Sequence, residues 1–283
     1  MWWMMAACVT ATWLSGYALA ATLSRRWPMA WGDRLLFALP IGIGWIIWMA
    51  FNCSEFLGIP ITRLFVIGTT VPLAALGSVW VIRDGRAWYA EYKQEGQTAS
   101  DSQLWTWAAW AAIGVLLLLM TRQILESWVT PVLNTDALMY HLPFAKIIYQ
   151  THALPQYASL SVHDIQYTLP PLIFLWYAIV WLWCDAINLF VAPLTVLIFV
   201  VHLYLLVYRT ARMILDVEPA AALGAVLVFF LPGTFIENIL EWQSSSDFPF
   251  IFWGLCVVYL LGLDLYKGEA RRWIWVGIFG ALS

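Results

Sequence analysis

Residues 170–184 read PPLIFLWYAIVWLWC. The stretch is apolar but only fifteen residues long. A helix needs about 20 apolar residues to cross a bilayer. Whether this one crosses sets the side of every later loop. Charge decides, because cytoplasmic loops carry the excess of Lys and Arg. If 170–184 does not cross, Arg25, Arg26, Arg34, Arg83, Arg86, Lys93, Arg209, Arg212, Lys267, Arg271 and Arg272 all face inward. That is eleven of the fourteen basic residues. Only Arg63, Arg122 and Lys146 then face outward. If the stretch crosses, the inward number falls to six. The first arrangement is the expected one: the N-terminus faces out, and 170–184 is an outer re-entrant or interfacial helix.

The rest of the chain fits that frame. Of its 283 residues, 63% are hydrophobic and 11% charged. Soluble domains run at about 45–50% and about 25%. The expected fold is all-α: a polytopic helical membrane protein, with none of the alternating ten-residue strands of an outer-membrane barrel. Spans are predicted near 2–24, 35–57, 64–82, 104–121, 186–208, 219–236 and 248–265. An eighth begins near 272, which gives seven to eight in all and leads us to expect a longer parent protein. MWWMMAACV lacks a basic n-region, so it reads as a first helix rather than a cleaved signal. Cys8, Cys53, Cys184 and Cys256 form no CxxC pair and read as small buried hydrophobes. Several of the 20 tryptophans (Trp27, Trp31, Trp105, Trp128, Trp242, Trp273) lie at segment ends, as in an interfacial belt. RDGRAWYAEYKQEGQTASDSQ, 83–103, reads as a cytoplasmic linker between an N-terminal module, 1–82, and a second transmembrane domain, 104–283. The net charge of -3 says little about partners, and no basic patch points to nucleic acid.

Chemistry-bearing residues gather outside the membrane in this frame. The outer segments 122–185 and 237–247 hold Glu126, Asp136, Asp164, Asp185, Glu237, Glu241 and Asp247. They also hold His141, His152 and His163, three of the four histidines. Asp136 lies in NTDALMYHLPFAKIIYQ, 134–150, just after a membrane exit. It is either a helix N-cap, a favoured use of Asp, or a general base that accepts a proton from a hydroxyl. Pro143 disfavours a continuous helix through Leu142, so the helix starts there or bends there. Asp247, in EWQSSSDFPFIFWGL, is open to the same two readings, with Pro249 in a first turn. The histidine spacing is not a metal motif. A divalent metal is still a candidate cofactor, with Asp136, Asp247, His163 and Glu241 as its candidate ligands. An anionic lipid phosphate bound outside needs positive charge from a base or a metal. Lys146 is the best placed base; its alternative role is to snorkel to the interface.

The order of these features resembles the GT-C superfamily of membrane glycosyltransferases, most closely the aminoarabinose transferase and protein O-mannosyltransferase type. Four features carry the resemblance: an Asp in the first large outer loop, DALMYHLPFAKIIYQTHALP; a proline-led apolar helix, YTLPPLIFLWYAIVWL; a long helix ending in LLVYRTARMI; and a helix pair with an outer Asp-x-Pro, SSSDFPFIFWGLCVVYLL, followed by KGEARRWIWVGI. It covers about 105–283. It implies an inverting enzyme at the outer face of a bacterial inner (plasma) membrane. The donor would be a polyprenyl-phosphate-linked sugar, and the acceptor a lipid, glycan or protein of the envelope. By position Asp136 is the essential acid, Asp247 the second, and Lys146, His141, Arg122 and Tyr140 the candidate substrate-binding residues. Two places depart from the pattern: Ala137 follows Asp136 where many relatives have a second acid, and Thr168-Leu169 stands where the aminoarabinose type has a lysine. Two other classes compete. A transporter or flippase of lipid-linked sugars predicts polar residues and broken helices at mid-membrane; here only His202 is isolated in a span, while Asn52 and Glu55 lie at an end. A non-catalytic membrane scaffold predicts that Asp136 is dispensable.

Overall fold

The computed structural model describes residues 2–27, 29–95, 141–154, 172–214, 247–267 and 273–282, with single positions between 107 and 125 and at 223 and 226. The described residues are helical, with no strand among them. The elements are α1 (Trp2–Leu23), α2 (Trp31–Leu57), α3 (Arg63–Glu95), α4 (Leu142–Thr151), α5 (Leu172–Cys184), α6 (Val191–Ile214), α7 (Asp247–Lys267) and α8 (Trp273–Leu282). Four stretches among them are long and apolar enough to cross a membrane: Trp2–Leu23, Trp31–Leu57, Arg63–Ala87 and Leu194–Ala211. Of the predicted span at 104–121 the described positions, 107, 110, 111, 113–115, 117, 118 and 121, are helical; the one at 219–236 lies outside the described residues but for 223 and 226. The apolar part of α7, Phe252–Leu265, is shorter.

The chain divides into two compact units. The first takes Met1–Arg25, Ala30–Asp84 and Thr135–Val191; the second takes Arg26–Met29, Gly85–Asn134 and Ala192–Ser283. In the first unit α1 and α2 pack antiparallel through small residues. A Cβ on Gly16 would lie 1.7 Å from the Ala38 carbonyl oxygen, and one on Gly42 would lie 2.0 Å from that of Thr12. Thr12, Gly16 and Ala20 recur every four residues on α1, and Thr12 and Gly16 meet Ala38 and Gly42 on α2. This is the small-residue spacing that lets helix backbones meet where lipid removes the hydrophobic drive for association. α3 comes equally close: a Cβ on Gly77 would sit 1.9 Å from Leu14 O. The Ser15 hydroxyl lies 2.8 Å from both Ala11 O and Thr70 O, so its single proton can go to either.

Gly58 ends α2. Its φ of 62° is left-handed, and a Cβ there would meet nothing within 4 Å. The backbone angle, not space, is what favours glycine at this position. The Ile59 amide then donates to Cys53 O at 2.9 Å. α3 runs past its apolar part to Glu95, so the predicted linker begins as helix. Its sequence there, RDGRAWYAEYKQE, is rich in strong helix formers. α6 begins at Val191 rather than 186. Residues 185–190 turn instead, with Asp185 at φ 54° and the Asn188 side chain accepting from the Phe190 amide at 3.0 Å.

The stretch that decides the topology forms α5. Its thirteen residues measure about 20 Å at 1.5 Å each, against about 30 Å of hydrocarbon. Every residue from Ile173 to Leu182 is buried. A helix that is apolar all round has no face to offer water and must be enclosed. α5 packs on α1, α2 and α4. An interfacial helix would show a polar face, and α5 shows none.

One buried network ties the first unit together. Arg34 of α2 forms an ion pair with Asp84 of α3, whose Oδ2 also accepts from the Tyr17 hydroxyl of α1 at 2.8 Å. The two charged side chains keep 18% and 14% exposure. Removing one partner of a buried pair costs about 3–5 kcal/mol, and residual hydration lowers that here. Asp84→Asn is expected to destabilise by about 2 kcal/mol. Arg34→Gln added to it should recover part of the loss. Thermal midpoints of the two variants check both statements.

In the second unit Phe199 of α6 meets Phe252 and Trp253 of α7 edge-on, with centroids 5.8 and 5.4 Å apart. His202 lies 2.7 Å through Nδ1 from Ile198 O, and its ring meets Phe252 at 5.9 Å. It is a partly buried histidine whose ring is held by a backbone carbonyl and an aromatic neighbour. α8 packs on α7, and its Trp275 indole donates to Trp27 O at 3.1 Å. Cys8, Cys184 and Cys256 are buried thiols, Cys53 is half-buried, and none forms a disulfide.

Candidate functional site

α4 is the described part of the predicted catalytic loop. It starts at Leu142, with His141 in the N-cap position and Pro143 in the first turn. Proline is tolerated there because the first amides of a helix have no intrahelical acceptor. Leu142, Phe144, Ala145 and Ile148 form its buried face. Phe144 packs on Phe174 of α5 with centroids 5.5 Å apart, and Tyr149 meets Trp181 edge-on at 6.4 Å. The helix closes at His152, whose φ of 57° is left-handed and whose amide donates to Ile148 O at 2.8 Å. The His152 carbonyl then accepts from Ile61 N at 2.7 Å, which fixes the end of α4 to the α2–α3 connection.

This placement separates two candidate residues. His141 is buried, 8% exposed, at the start of α4. Lys146 is exposed on the opposite side, and among the described residues it has no ion-pair partner. Its ammonium is open to an anion in a way that the His141 ring is not. Arg63, also expected to face outward, is engaged: its guanidinium lies 3.2 Å from Asp185 beyond the end of α5. Both side chains are well exposed, so the pair contributes little stability. It still occupies one of the three bases that an outer anion could have used. Sequence inspection offered no signal for it, since 122 positions separate the partners.

The remaining candidates divide by where they fall. Asp247 is the first residue of α7, with Pro249 in the first turn. That is the helix-mouth position expected of it. Arg122 is exposed, in the second unit. Asp136, Tyr140, His163 and Glu241 lie outside the described residues, as do three of the four candidate metal ligands, Asp136, His163 and Glu241. Among the described residues no three His, Cys, Asp or Glu side chains gather as a metal site would require. No protein-family model, curated protein or solved structure matches the chain.

Proposed function

We propose that the protein is an inverting membrane glycosyltransferase. It moves a sugar from a polyprenyl-phosphate donor to an envelope acceptor at the outer face of a bacterial inner membrane. One observation supports this best. Shortly after Asp136 in sequence, at Leu142, begins an amphipathic helix, α4, with Pro143 in its first turn; it is seated on an enclosed apolar helix, α5, which packs on α1 and α2. A helix seated on apolar helices beside the Asp136 segment in sequence suits a donor whose lipid tail stays in the bilayer.

The chemistry divides between few groups. The acceptor hydroxyl oxygen attacks the anomeric carbon, and its proton passes to the Asp136 carboxylate. The bond from that carbon to the phosphate oxygen breaks on the opposite side, and the phosphate leaves with the electron pair. One base suffices, unlike the carboxylate pair of a glycosidase. The leaving phosphate gains charge and needs a cation. Lys146, exposed and without an ion-pair partner among the described residues, supplies it in this reading.

The transporter reading has less support. The buried acids among the described residues, Asp33 and Asp264, belong to the ends of α2 and α7 rather than to their middles. The test is complementation of a deletion strain with wild type and with Asp136→Asn at equal membrane abundance. An envelope glycan should disappear on deletion and return only with wild type, with a loss on the order of a hundredfold or more for the variant. Full restoration by Asp136→Asn ends the general-base assignment.

A further inference from the structure

The first unit carries a second cationic site, at the end where α1 finishes and α2 begins. The Trp80 ring of α3 receives two guanidiniums: Arg25 at 4.4 Å from its centroid and Arg83 at 5.0 Å. The ring is fixed from beneath, because Trp80 packs on the cluster of Tyr17, Ala21 and Ala38. Like charges repel, so two arginines on one indole need a reason. Cation–π attraction supplies part of it. No carboxylate supplies the rest: among the described residues neither arginine forms an ion pair. Asp84, next in sequence to Arg83, is taken by Arg34 and Tyr17. Both Arg25 and Arg83 are exposed.

We propose that Arg25 and Arg83, laid on the one Trp80 ring, clamp the phosphate of an anionic membrane lipid. The arginine fork matches phosphate oxygens in pairs. An indole at the end of apolar helices marks headgroup depth. Basic pockets between membrane helices on the cytoplasmic side hold such headgroups, and this is the inward end by the charge count. A soluble phosphate offers the same chemistry but no tail to lie along the apolar helices. The site is separate from the loop around α4, and it stands or falls independently of the glycosyl-transfer reading.

The test uses the full-length protein in a neutral detergent. Binding and thermal midpoint are measured with phosphatidylglycerol, with phosphatidylcholine and with inorganic phosphate. Phosphatidylglycerol is expected to bind best and to raise the midpoint most. Loss of one arginine should weaken it about fivefold, so R25Q/R83Q should weaken it roughly 25-fold. Arg63→Gln, at the other end of α3, should leave it unchanged. Equal binding of the two lipids to wild type overturns the proposal without recourse to any variant. So does phosphatidylglycerol preference that survives in R25Q/R83Q, or inorganic phosphate that binds as well as the lipid.

Discussion

Gly16→Val is expected to remove the folded protein while leaving its insertion into the membrane intact. The Cβ alone would lie 1.7 Å from Ala38 O and 2.5 Å from Gly42 N, and both obstacles are backbone. A flexible side chain could move aside; two helix backbones can yield only by separating. Separation gives up the α1–α2 contact along its length, including the reciprocal approach of Gly42 to Thr12 O. Overpacking of a core costs about 1–3 kcal/mol when side chains can adjust, so about 3 kcal/mol or more is expected here. The control is Gly68→Ala on α3, where a Cβ meets nothing within 4 Å. It should be neutral or gain up to about 1 kcal/mol from helix propensity. Thermal midpoints in detergent, normalised to the amount inserted, separate the two. A Gly16→Val protein that melts with wild type would mean that α1 and α2 do not meet through these residues.

The spacing behind this contact was open to reading. Thr12, Gly16 and Ala20 recur at intervals of four, as do Ala38 and Gly42, and small residues at that interval mark helix contacts in membranes. Hydropathy found the helices themselves because span length and apolarity are local properties. It placed α1, α2 and the start of α3 within a few residues, and the shortness of 170–184 identified α5. Helix ends were less legible. The start of α6 depends on the Asn188 turn, and α3 outlasts its apolar stretch because Ala, Arg, Glu and Lys sustain a helix without lipid. Partners far apart in sequence left no trace at all. Arg34 and Asp84 read as two ordinary loop charges, as did Arg63 and Asp185. The candidate site was legible as residue types and order. That order put α4 and α5 after a linker, yet α5 packs on α1 and α2, which chain order cannot show.

Trp181→Ala should have the second large effect, and it links the fold to the loop. Trp181 is 1% exposed in the last turn of the enclosed helix. Its indole N–H donates to Asn188 O at 2.8 Å, fixing the turn before α6, and its ring takes the edge of Tyr149 from α4. Truncation leaves a cavity where α4 and α5 meet, and a buried Trp→Ala change costs about 3–5 kcal/mol. Trp181→Phe keeps one aromatic ring and loses the donor and part of the packing, at a cost of about 1–2 kcal/mol. The pair therefore grades the loss of packing. If α4 positions the loop that carries Asp136, Trp181→Ala should lose glycan restoration even in the fraction that stays folded, whereas Trp181→Phe should keep it. Measuring restoration per folded molecule is the check. If Trp181→Ala restores as well as wild type on that basis, α4 does not support the catalytic loop, and the seat of α4 on α5 serves stability alone.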